Sequence, residues 1–403
     1  MNLHGPDGPV FLPLGFSWSA TKAGIKASGR SDVALAEASL GASAAAMFTR
    51  NRVVAAPVEV GRLHLRKSKG RVRALLVNAG NANCATGAAG VTVAEQTCAA
   101  LGAALEAAPQ FIIPSSTGII GVPLPVEKLV AAVPAVVSAR ASDADALKAF
   151  ATAIMTTDTR MKLASAEFPA GKRKVRIAGV CKGSGMIHPN MATMLVFLFT
   201  DLDAEPGQLQ SALKLAVDTT FNAISVDGDT STNDTVLLLA SGASKVKLAS
   251  GLEKKFTEAL RGVCASLAEQ IVRDGEGAQH LVRLHISGAK SVDEARTIAR
   301  SIANSPLVKT AWAGCDPNWG RILSSVGKSG IAVDPEKINI FFGPQQVCRR
   351  GVAHPFDEKQ AHEYLKQPEY EIKVELGRGK SSLEFLTCDL TVEYVHINAD
   401  YST

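Results

Sequence analysis

Helix-like and strand-like patterns of apolar residues alternate along this chain. Apolar side chains recur every three or four positions over residues 209–221 and 252–273, and Ser291 with Glu294 forms a capping box for a helix that ends at Ile302. Strands are predicted at residues 75–78, 111–114, 172–180, 191–200, 281–287, 338–342, 371–375, 382–386 and 391–397. Because the two element types are interleaved, the predicted fold class is α/β, or mixed α+β.

The first half also contains two Ala-rich helical stretches. One follows the Gly/Asn-rich turn at residues 79–83, and its capping box is formed by Thr92 and Glu95. The other covers residues 127–152, and Pro134 is expected to break it, since proline removes a helical hydrogen bond. No linker rich in Pro, Ser or Gly and no internal repeat divides the chain.

Length and composition exclude several classes of protein. The 403 residues, 46% of them hydrophobic, suffice for large cores and exclude a disordered chain or a disulfide-stapled miniprotein. The 43 Lys and Arg exceed the 38 Asp and Glu without a basic block, so no nucleic-acid or membrane partner is expected. Apolar runs fall far short of the ~20 residues of a spanning helix, and residues 1–16 lack a signal-peptide pattern, which predicts a cytoplasmic protein.

Four local motifs fail as functional signatures. Residues 327–329 end like a phosphate-binding loop, but Ile322 occupies the position of its first glycine. Residues 227–238 begin like a calcium loop without its central Gly or final Glu, and residues 183–185 lack the outer spacing of a nucleophile elbow. The seven cysteines form no CxxC pair. We therefore predict no metal site, and reduced, mostly buried thiols.

The least regular segment carries the candidate chemistry. Residues 182–195 read KGSGMIHPNMATML, a glycine-rich turn and a Pro-Asn corner followed by Ala192 and Thr193 at the head of an apolar strand. A hydroxyl there would be rigidly held. On spacing alone, however, an ordinary β-branched strand residue is a better interpretation of Thr193 than a catalytic one.

Seven segments in order along the chain carry a resemblance to a known family. They are residues 114–121, 155–159, 182–195, 227–235, 274–277, 316–322 and 394–403. With these motifs the chain resembles the ornithine acetyltransferase family of arginine biosynthesis.

The resemblance implies an N-terminal-nucleophile-type acyltransferase that processes itself. Its mixed sheets would be layered against helices in two subdomains. Cleavage between Ala192 and Thr193 would produce an α chain of residues 1–192 and a β chain of residues 193–403, assembled as an α2β2 heterotetramer. The Thr193 hydroxyl would attack the Ala192 carbonyl, and the freed α-amine, with a pKa of about 7.7–8.0, would serve as its base.

The resemblance also implies the reaction and its residues. The acetyl group of N2-acetyl-L-ornithine would pass through acetyl-Thr193 to L-glutamate, without a metal or prosthetic group. Thr117 and Gly118 match the oxyanion pair of the family, a hydroxyl and a backbone N–H at a turn after a strand. Lys182 would face an α-carboxylate and Glu276 an ammonium group. By motif position the substrate contacts are Thr156, Lys182, Thr193, Glu276, Asn398 and Thr403.

The chain departs from the family pattern at two places, and two alternative functions stay open. Gln279 and His280 replace the usual Thr-Lys pair, which could change the side-chain end of the substrate pocket, whereas residues 83–85 differ in a way expected to affect packing only. A related self-processing aminopeptidase or amidase, with water as acceptor, is the first alternative. A non-catalytic homologue is the second. The sequence decides neither whether acetyl-CoA is a further donor nor the oligomeric state.

Overall fold

A computed structural model of the chain describes residues 1–187, 194–249 and 251–400. In the described residues the strands are β1 (Asn2–His4), β2 (Phe16–Thr21), β3 (Val33–Phe48), β4 (Arg71–Asn81), β5 (Ile112–Ile119), β6 (Lys162–Ala170), β7 (Arg173–Lys182), β8 (Leu195–Thr200), β9 (Ile224–Ser225), β10 (Thr235–Ala240), β11 (Leu281–Ala289), β12 (Asn339–Phe342), β13 (Gln345–Arg349), β14 (Val352–Ala353), β15 (Glu369–Glu375) and β16 (Ser381–Cys388). The α-helices there are α1 (Ala56–Lys67), α2 (Gly87–Ala104), α3 (Val126–Ser138), α4 (Ala144–Ala153), α5 (Pro206–Asp218), α6 (Glu253–Arg273), α7 (Val292–Ala303), α8 (Pro306–Ala313), α9 (Trp319–Gly327), α10 (Glu358–Leu365) and α11 (Val392–Asp400).

The first sheet combines strands from both halves of the sequence. Its order is β1-β6-β7-β8-β10-β3-β4-β5, with β2 paired to β3. Strand β8 lies between β7, to which it is antiparallel, and β10, to which it is parallel. Its first residue, Leu195, is directly opposite Lys182 at the end of β7. The sheet therefore brings the end of β7 and the entry to β8 to one edge.

Both faces of β8 are buried, as its unbroken apolar sequence predicts. Leu195, Phe197 and Phe199 pack with α4 on one side, whereas Val196 and Leu198 pack with α5 and α6 on the other. Side chains alternate between the two faces along a strand, so consecutive residues of β8 pack in different cores. This double burial holds the head of β8 rigidly.

The second sheet lies on the other side of α6. Its order is β14-β13-β12-β15-β11-β16-β9, and one face packs against α7, α8 and α9. Residues of α6 share a core with β6 and β7 of the first sheet and with Leu281 and Leu386 of the second. The predicted mixed α/β class, with mixed sheets layered against helices, is confirmed.

Two helix predictions in the first half were wrong in detail. Helix α2 begins at Gly87, because the Asn83 amide donates to the Gly90 carbonyl (2.9 Å) and the Thr86 hydroxyl donates to Asn83 (2.9 Å). Thr92 lies inside the helix, where its hydroxyl donates to the Ala88 carbonyl, so it forms no capping box.

Pro134 does not break α3, which runs through it from Val126 to Ser138. Pro134 is on the exposed side of this helix, while Leu129, Val133 and Val136 are buried against α2 and the first sheet. Burial of that apolar face outweighs the lost hydrogen bond, since each fully buried aliphatic side chain contributes about 1.5–3 kcal/mol.

The predicted strand at residues 391–397 is helix α11 instead. The Thr391 hydroxyl donates to the Gly277 carbonyl (2.7 Å), which fixes where the chain turns away from β16. Val392 and Val395 are exposed on this helix, so their strand-like spacing reflects no buried strand face. The helical spacing places Asn398 one turn after Tyr394, whose carbonyl accepts from the Asn398 amide (3.0 Å).

Candidate active site

The predicted oxyanion pair lies within strand β5, not in a turn after a strand. Strand β5 continues to Ile119 because residues 115–118 pair with β4 along the sheet. Gly118 has φ +131°, and a Cβ there would lie 2.3 Å from the Gly80 carbonyl carbon and 2.5 Å from the Asn81 nitrogen. Glycine is therefore required for the close approach of β4 and β5.

We expect Gly118→Ala to lower the thermal midpoint more than Gly121→Ala does. Both glycines have positive φ, but a Cβ at Gly121 meets nothing within 4 Å. Both variants carry the strain of an alanine at positive φ, so the difference between them reports the clash at residue 118 alone. Overpacking of this kind costs about 1–3 kcal/mol. Calorimetry of the two variants measures the difference, and equal midpoints would show that β4 can move aside.

Lys182 reaches Thr117 of the predicted oxyanion pair from the end of β7. Its Nζ donates to Thr117 Oγ1 at 3.2 Å, and the Thr117 residue is only 8% exposed. Leu195 lies directly opposite Lys182 in the sheet. An ammonium group, a hydroxyl and the start of β8 thus meet at one place. The predicted nucleophile Thr193, two positions before Leu195, and Ala192 lie outside the described residues.

The glycine-rich segment after Lys182 approaches Glu276 closely. The Glu276 N–H donates to the Ser184 carbonyl (3.0 Å), and a Cβ on Gly185 would lie 2.3 Å from Glu276 Oε2. Asn398 Nδ2 donates to the same carboxylate oxygen at 2.9 Å. Two predicted substrate residues from distant parts of the chain are therefore in direct contact, whereas Thr403 lies outside the described residues.

Thr156 is positioned by a carboxylate that sequence reasoning did not single out. Its backbone N–H donates to Asp158 Oδ2 (3.0 Å), while the Gly183 N–H donates to Asp158 Oδ1 (2.6 Å). Asp158 also accepts from Lys162 Nζ at 2.6 Å, and the Asp158 side chain is fully buried. The signal in the sequence was an Asp four residues before a Lys at the start of a strand, which is too common to be informative.

Asp227 is a half-buried carboxylate next to the glycine-rich segment. It accepts from the backbone N–H groups of Met186 and Ile187, and from the Tyr394 hydroxyl at 3.4 Å. Burial raises the pKa of Asp227 above its usual value despite these hydrogen bonds. The residue belongs to the rejected calcium-like loop, and its contacts tie that loop to the segment preceding residues 188–193.

A cleft of about 700 Å³ opens beside Glu276. Both departures from the family pattern, Gln279 and His280, line it. Nδ1 of the buried His280 ring lies 2.8 Å from Asp389 Oδ2, and because a carboxylate only accepts, the Nδ1–H donates. The backbone N–H groups of Gln279 and His280 donate to Asp389 Oδ1. The imidazole is thus held in one orientation at the wall of the cleft.

The described residues contain no cluster suited to a metal ion. Within residues 1–187, 194–249 and 251–400, no three His, Cys, Asp or Glu side chains come together in that way. The seven cysteines are all free thiols, and only Cys315 is partly exposed. In the same ranges no helix combines the length and apolar character needed to cross a membrane.

Comparisons with known proteins agree over almost the whole sequence. The ArgJ family matches residues 17–403. A curated relative from Bradyrhizobium diazoefficiens, named arginine biosynthesis bifunctional protein ArgJ, is 47% identical over 98% of this chain and 96% of its own. The protein of that name from Thermus thermophilus is 45% identical over 98% of this chain and 100% of its own.

Two solved structures are also similar. The crystal structure of arginine biosynthesis bifunctional protein ArgJ from Bacillus halodurans aligns with a TM-score of 0.50 and 42% identity, over 51% of this chain and 98% of its own. An ornithine acetyltransferase from Mycobacterium tuberculosis, solved in complex with ornithine, aligns with a TM-score of 0.43 and 36% identity, over 47% and 99%. The chain therefore belongs to the ArgJ family of arginine biosynthesis, and it is an enzyme of the acyltransferase class.

Proposed function

We propose that the enzyme transfers the acetyl group of N2-acetyl-L-ornithine to L-glutamate through an acetyl-Thr193 intermediate. The observation that carries this proposal is the contact of Lys182 with Thr117 beside the first residue of β8. Two residues after Lys182, the Ser184 carbonyl accepts from the N–H of Glu276, whose carboxylate accepts from Asn398. These groups offer a cation, a hydroxyl and a carboxylate, and Thr193 precedes Leu195, the first residue of β8, by two positions in the sequence. An α-amino acid with a cationic side chain needs that set of partners.

The nucleophile is released when the chain cuts itself between Ala192 and Thr193. The Thr193 hydroxyl attacks the Ala192 carbonyl, and the peptide C–N bond breaks, which frees the α-amine of Thr193 and leaves an ester. Water then hydrolyses this ester, which releases the Ala192 carboxylate and restores the Thr193 hydroxyl. Residues 193–403 make up about half of the chain, and the solved Bacillus halodurans chain covers 51% of this one although 98% of it aligns. That coverage supports an enzyme composed of two chains.

The two chains are expected to stay together after cleavage. Strand β8 of the proposed β chain is hydrogen-bonded to β7 of the proposed α chain over six residue pairs, and its two faces lie in two cores. Separation would expose both cores. We propose that two such pairs assemble as α2β2.

Acetyl transfer follows a ping-pong course. The free amine of Thr193 takes the hydroxyl proton as the oxygen attacks the acetyl carbonyl of the donor. Negative charge then develops on the carbonyl oxygen, where the Thr117 hydroxyl and the Gly118 N–H donate. The protonated Thr193 amine gives its proton to the ornithine nitrogen as the amide C–N bond breaks, and ornithine leaves. The α-amine of L-glutamate then attacks acetyl-Thr193, the ester C–O bond breaks, and the Thr193 amine carries a proton from the glutamate nitrogen back to the Thr193 oxygen. Lys182 binds the α-carboxylate of each substrate in turn, and Thr156, Glu276, Asn398 and Thr403 complete the substrate site. No metal or prosthetic group takes part in this scheme, and acetyl-CoA is a candidate second donor.

The acceptor distinguishes this function from the aminopeptidase or amidase alternative. Acetylornithine is incubated with and without glutamate, and acetate and acetylglutamate are measured. A transferase forms acetylglutamate and releases little acetate, whereas a hydrolase releases acetate equally in both reactions. A non-catalytic homologue would form neither product. Replacing acetylornithine by acetyl-CoA in the same assay decides whether that thioester is also a donor.

We expect Thr117→Ala to lower kcat about 100-fold with a small change in KM. Removal of one oxyanion donor has about that effect, because the hydrogen bond is needed most when charge develops. Thr117→Ser keeps the hydroxyl and serves as the matched control. Steady-state kinetics measures both variants, and a change confined to KM would assign Thr117 to ground-state binding.

A further inference from the structure

Three charged side chains form a buried cluster beneath the proposed substrate site. Lys162 Nζ donates to Asp158 Oδ1 at 2.6 Å and to Asp274 Oδ2 at 2.5 Å, and the exposed fractions of the three side chains are 1%, 0% and 4%. The third ammonium hydrogen is directed at the Arg160 carbonyl, 3.3 Å away. Every donor of Lys162 is thus used, so the ammonium is fixed in the geometry that joins the two carboxylates.

Each carboxylate also holds backbone of the proposed site. Asp158 accepts from the N–H groups of Thr156 (3.0 Å) and Gly183 (2.6 Å). Gly183 directly follows Lys182, and its φ of +151° is a conformation that glycine adopts more readily than other residues. Asp158 thereby fixes the backbone on one side of Lys182, while the β7–β8 pairing fixes the other.

Asp274 makes the corresponding contacts on the other side of the cluster. It accepts from the Thr159 N–H (3.1 Å) and from the Thr159 hydroxyl. Asp274 ends α6 and immediately precedes the Gly-Glu-Gly turn that carries Glu276. The cluster therefore connects the backbones that present Thr156, Lys182 and Glu276.

We propose that Asp158, held by Lys162 and Asp274, is a positioning residue that aims Lys182 and Thr156 at the amino-acid substrate. The kinetic effect of this positioning rests on the proposed function, whereas the placement of the Gly183 and Thr156 backbone by Asp158 does not. Asp158 acts through the Gly183 and Thr156 backbone and touches neither the substrate nor the acetyl group.

The charge state of the cluster suits this role. Burial opposes ionisation of Asp158, but the ammonium groups of Lys162 and Lys182 and the Gly183 N–H lower its pKa to about 2. The pKa of Lys162 is raised by its two carboxylate partners, although burial opposes that change as well. Buried ion pairs often add little stability compared with apolar side chains of similar size. Accurate placement of the site backbone is the function that these contacts serve here.

The test compares Asp158→Asn with Glu167→Gln in the full-length enzyme. Glu167 lies on strand β6, which begins with Lys162 four residues after Asp158. Its side chain is 8% exposed and pairs with Lys174 (2.7 Å) and Arg176 (3.1 Å) of β7. Both substitutions remove one charge from a largely buried ion-paired carboxylate. We expect Asp158→Asn to raise KM for acetylornithine and glutamate and to lower kcat/KM about 100-fold, as small displacements of binding groups do. Glu167→Gln should change only the thermal midpoint.

Amide hydrogen exchange provides a measurement that does not depend on activity. Peptides containing residues 155–160 and 182–185 should exchange faster in Asp158→Asn than in the wild type and in Glu167→Gln, because local opening becomes easier. If Asp158→Asn does not fold, the triple variant Asp158→Asn/Lys162→Met/Asp274→Asn removes all three charges and takes its place. It leaves no isolated buried ion.

The possible results separate the two proposals. Unchanged exchange at both segments, or kinetic constants that match those of Glu167→Gln, would overturn the positioning role while acetyl transfer stands. A wild-type enzyme that transfers no acetyl group would overturn the proposed function, and hydrogen exchange alone would then decide the role of Asp158.

Discussion

Thr193→Ala is expected to remain one uncut chain of 42.2 kDa and to show no acetyl transfer. Residue 193 of the variant has no hydroxyl, so it can neither attack the Ala192 carbonyl to cleave the chain nor accept the acetyl group from the donor. The intact mass of the purified protein reports cleavage, and the acetylornithine and glutamate assay reports transfer. Wild-type protein should give two masses, for residues 1–192 and 193–403.

Thr193→Ser is the matched control, since it keeps a hydroxyl and an N-terminal amine after cleavage. It should cut and transfer, both more slowly than the wild type. A Thr193→Ala preparation that still divides at this bond would show that another group is the nucleophile. An uncut wild-type chain with full activity would contradict the requirement for a free amine at Thr193.

Lys182→Met should lower kcat/KM about 1000-fold for acetylornithine and glutamate alike. Both substrates carry an α-carboxylate, and loss of a charge paired with a largely desolvated partner costs several kcal/mol. A 1000-fold decrease in kcat/KM corresponds to about 4 kcal/mol. Methionine keeps most of the length of the side chain. Lys174→Met is the control on the same strand β7, because that side chain is 62% exposed and Glu167 keeps its second partner, Arg176, when the lysine is replaced.

Glu276→Gln, by contrast, should affect acetylornithine and ornithine more than glutamate. Only the ornithine-type substrates bring a side-chain amine to this carboxylate, and the Asn398 amide can still donate to the remaining side-chain oxygen once the charge is lost. Glu393→Gln, an exposed residue of the same cleft, controls for a general loss of negative charge. Equal losses for all substrates would mean that Glu276 maintains the site instead of distinguishing ligands.

The residue types of the site could be predicted from sequence because they lie in short continuous motifs. The Thr117–Gly118 pair, Lys182 and Glu276 each lie in a segment whose local pattern is distinctive. In the structure Lys182 Nζ lies 3.2 Å from Thr117 Oγ1, and the Glu276 N–H donates to the Ser184 carbonyl, two residues after Lys182. The roles of these residues stay predictions, and Ala192, Thr193 and Thr403 lie outside the described residues.

The buried cluster was missed because its members are ordinary in sequence. Asp158 and Lys162 are separated from Asp274 by 116 and 112 residues. Each alone matches the pattern of a solvated surface charge. Only the packing of α6 against β6 buries them together, and burial then makes their pairing obligatory.

The sequence by itself determined the interleaving of helices and strands, the two-faced burial of β8, the long helix α6 and the residues of the motifs. These features depend on neighbouring residues, through periodicity and capping, and such local preferences need no distant partner. Tertiary structure decided that α3 continues through Pro134, that Thr117 and Gly118 lie within β5, and that residues 391–397 form a helix. At residues 117–118 and 391–397 the local preference is weak, whereas at Pro134 it opposes the helix. At each place burial against distant elements or hydrogen bonds to them supply the larger free energy.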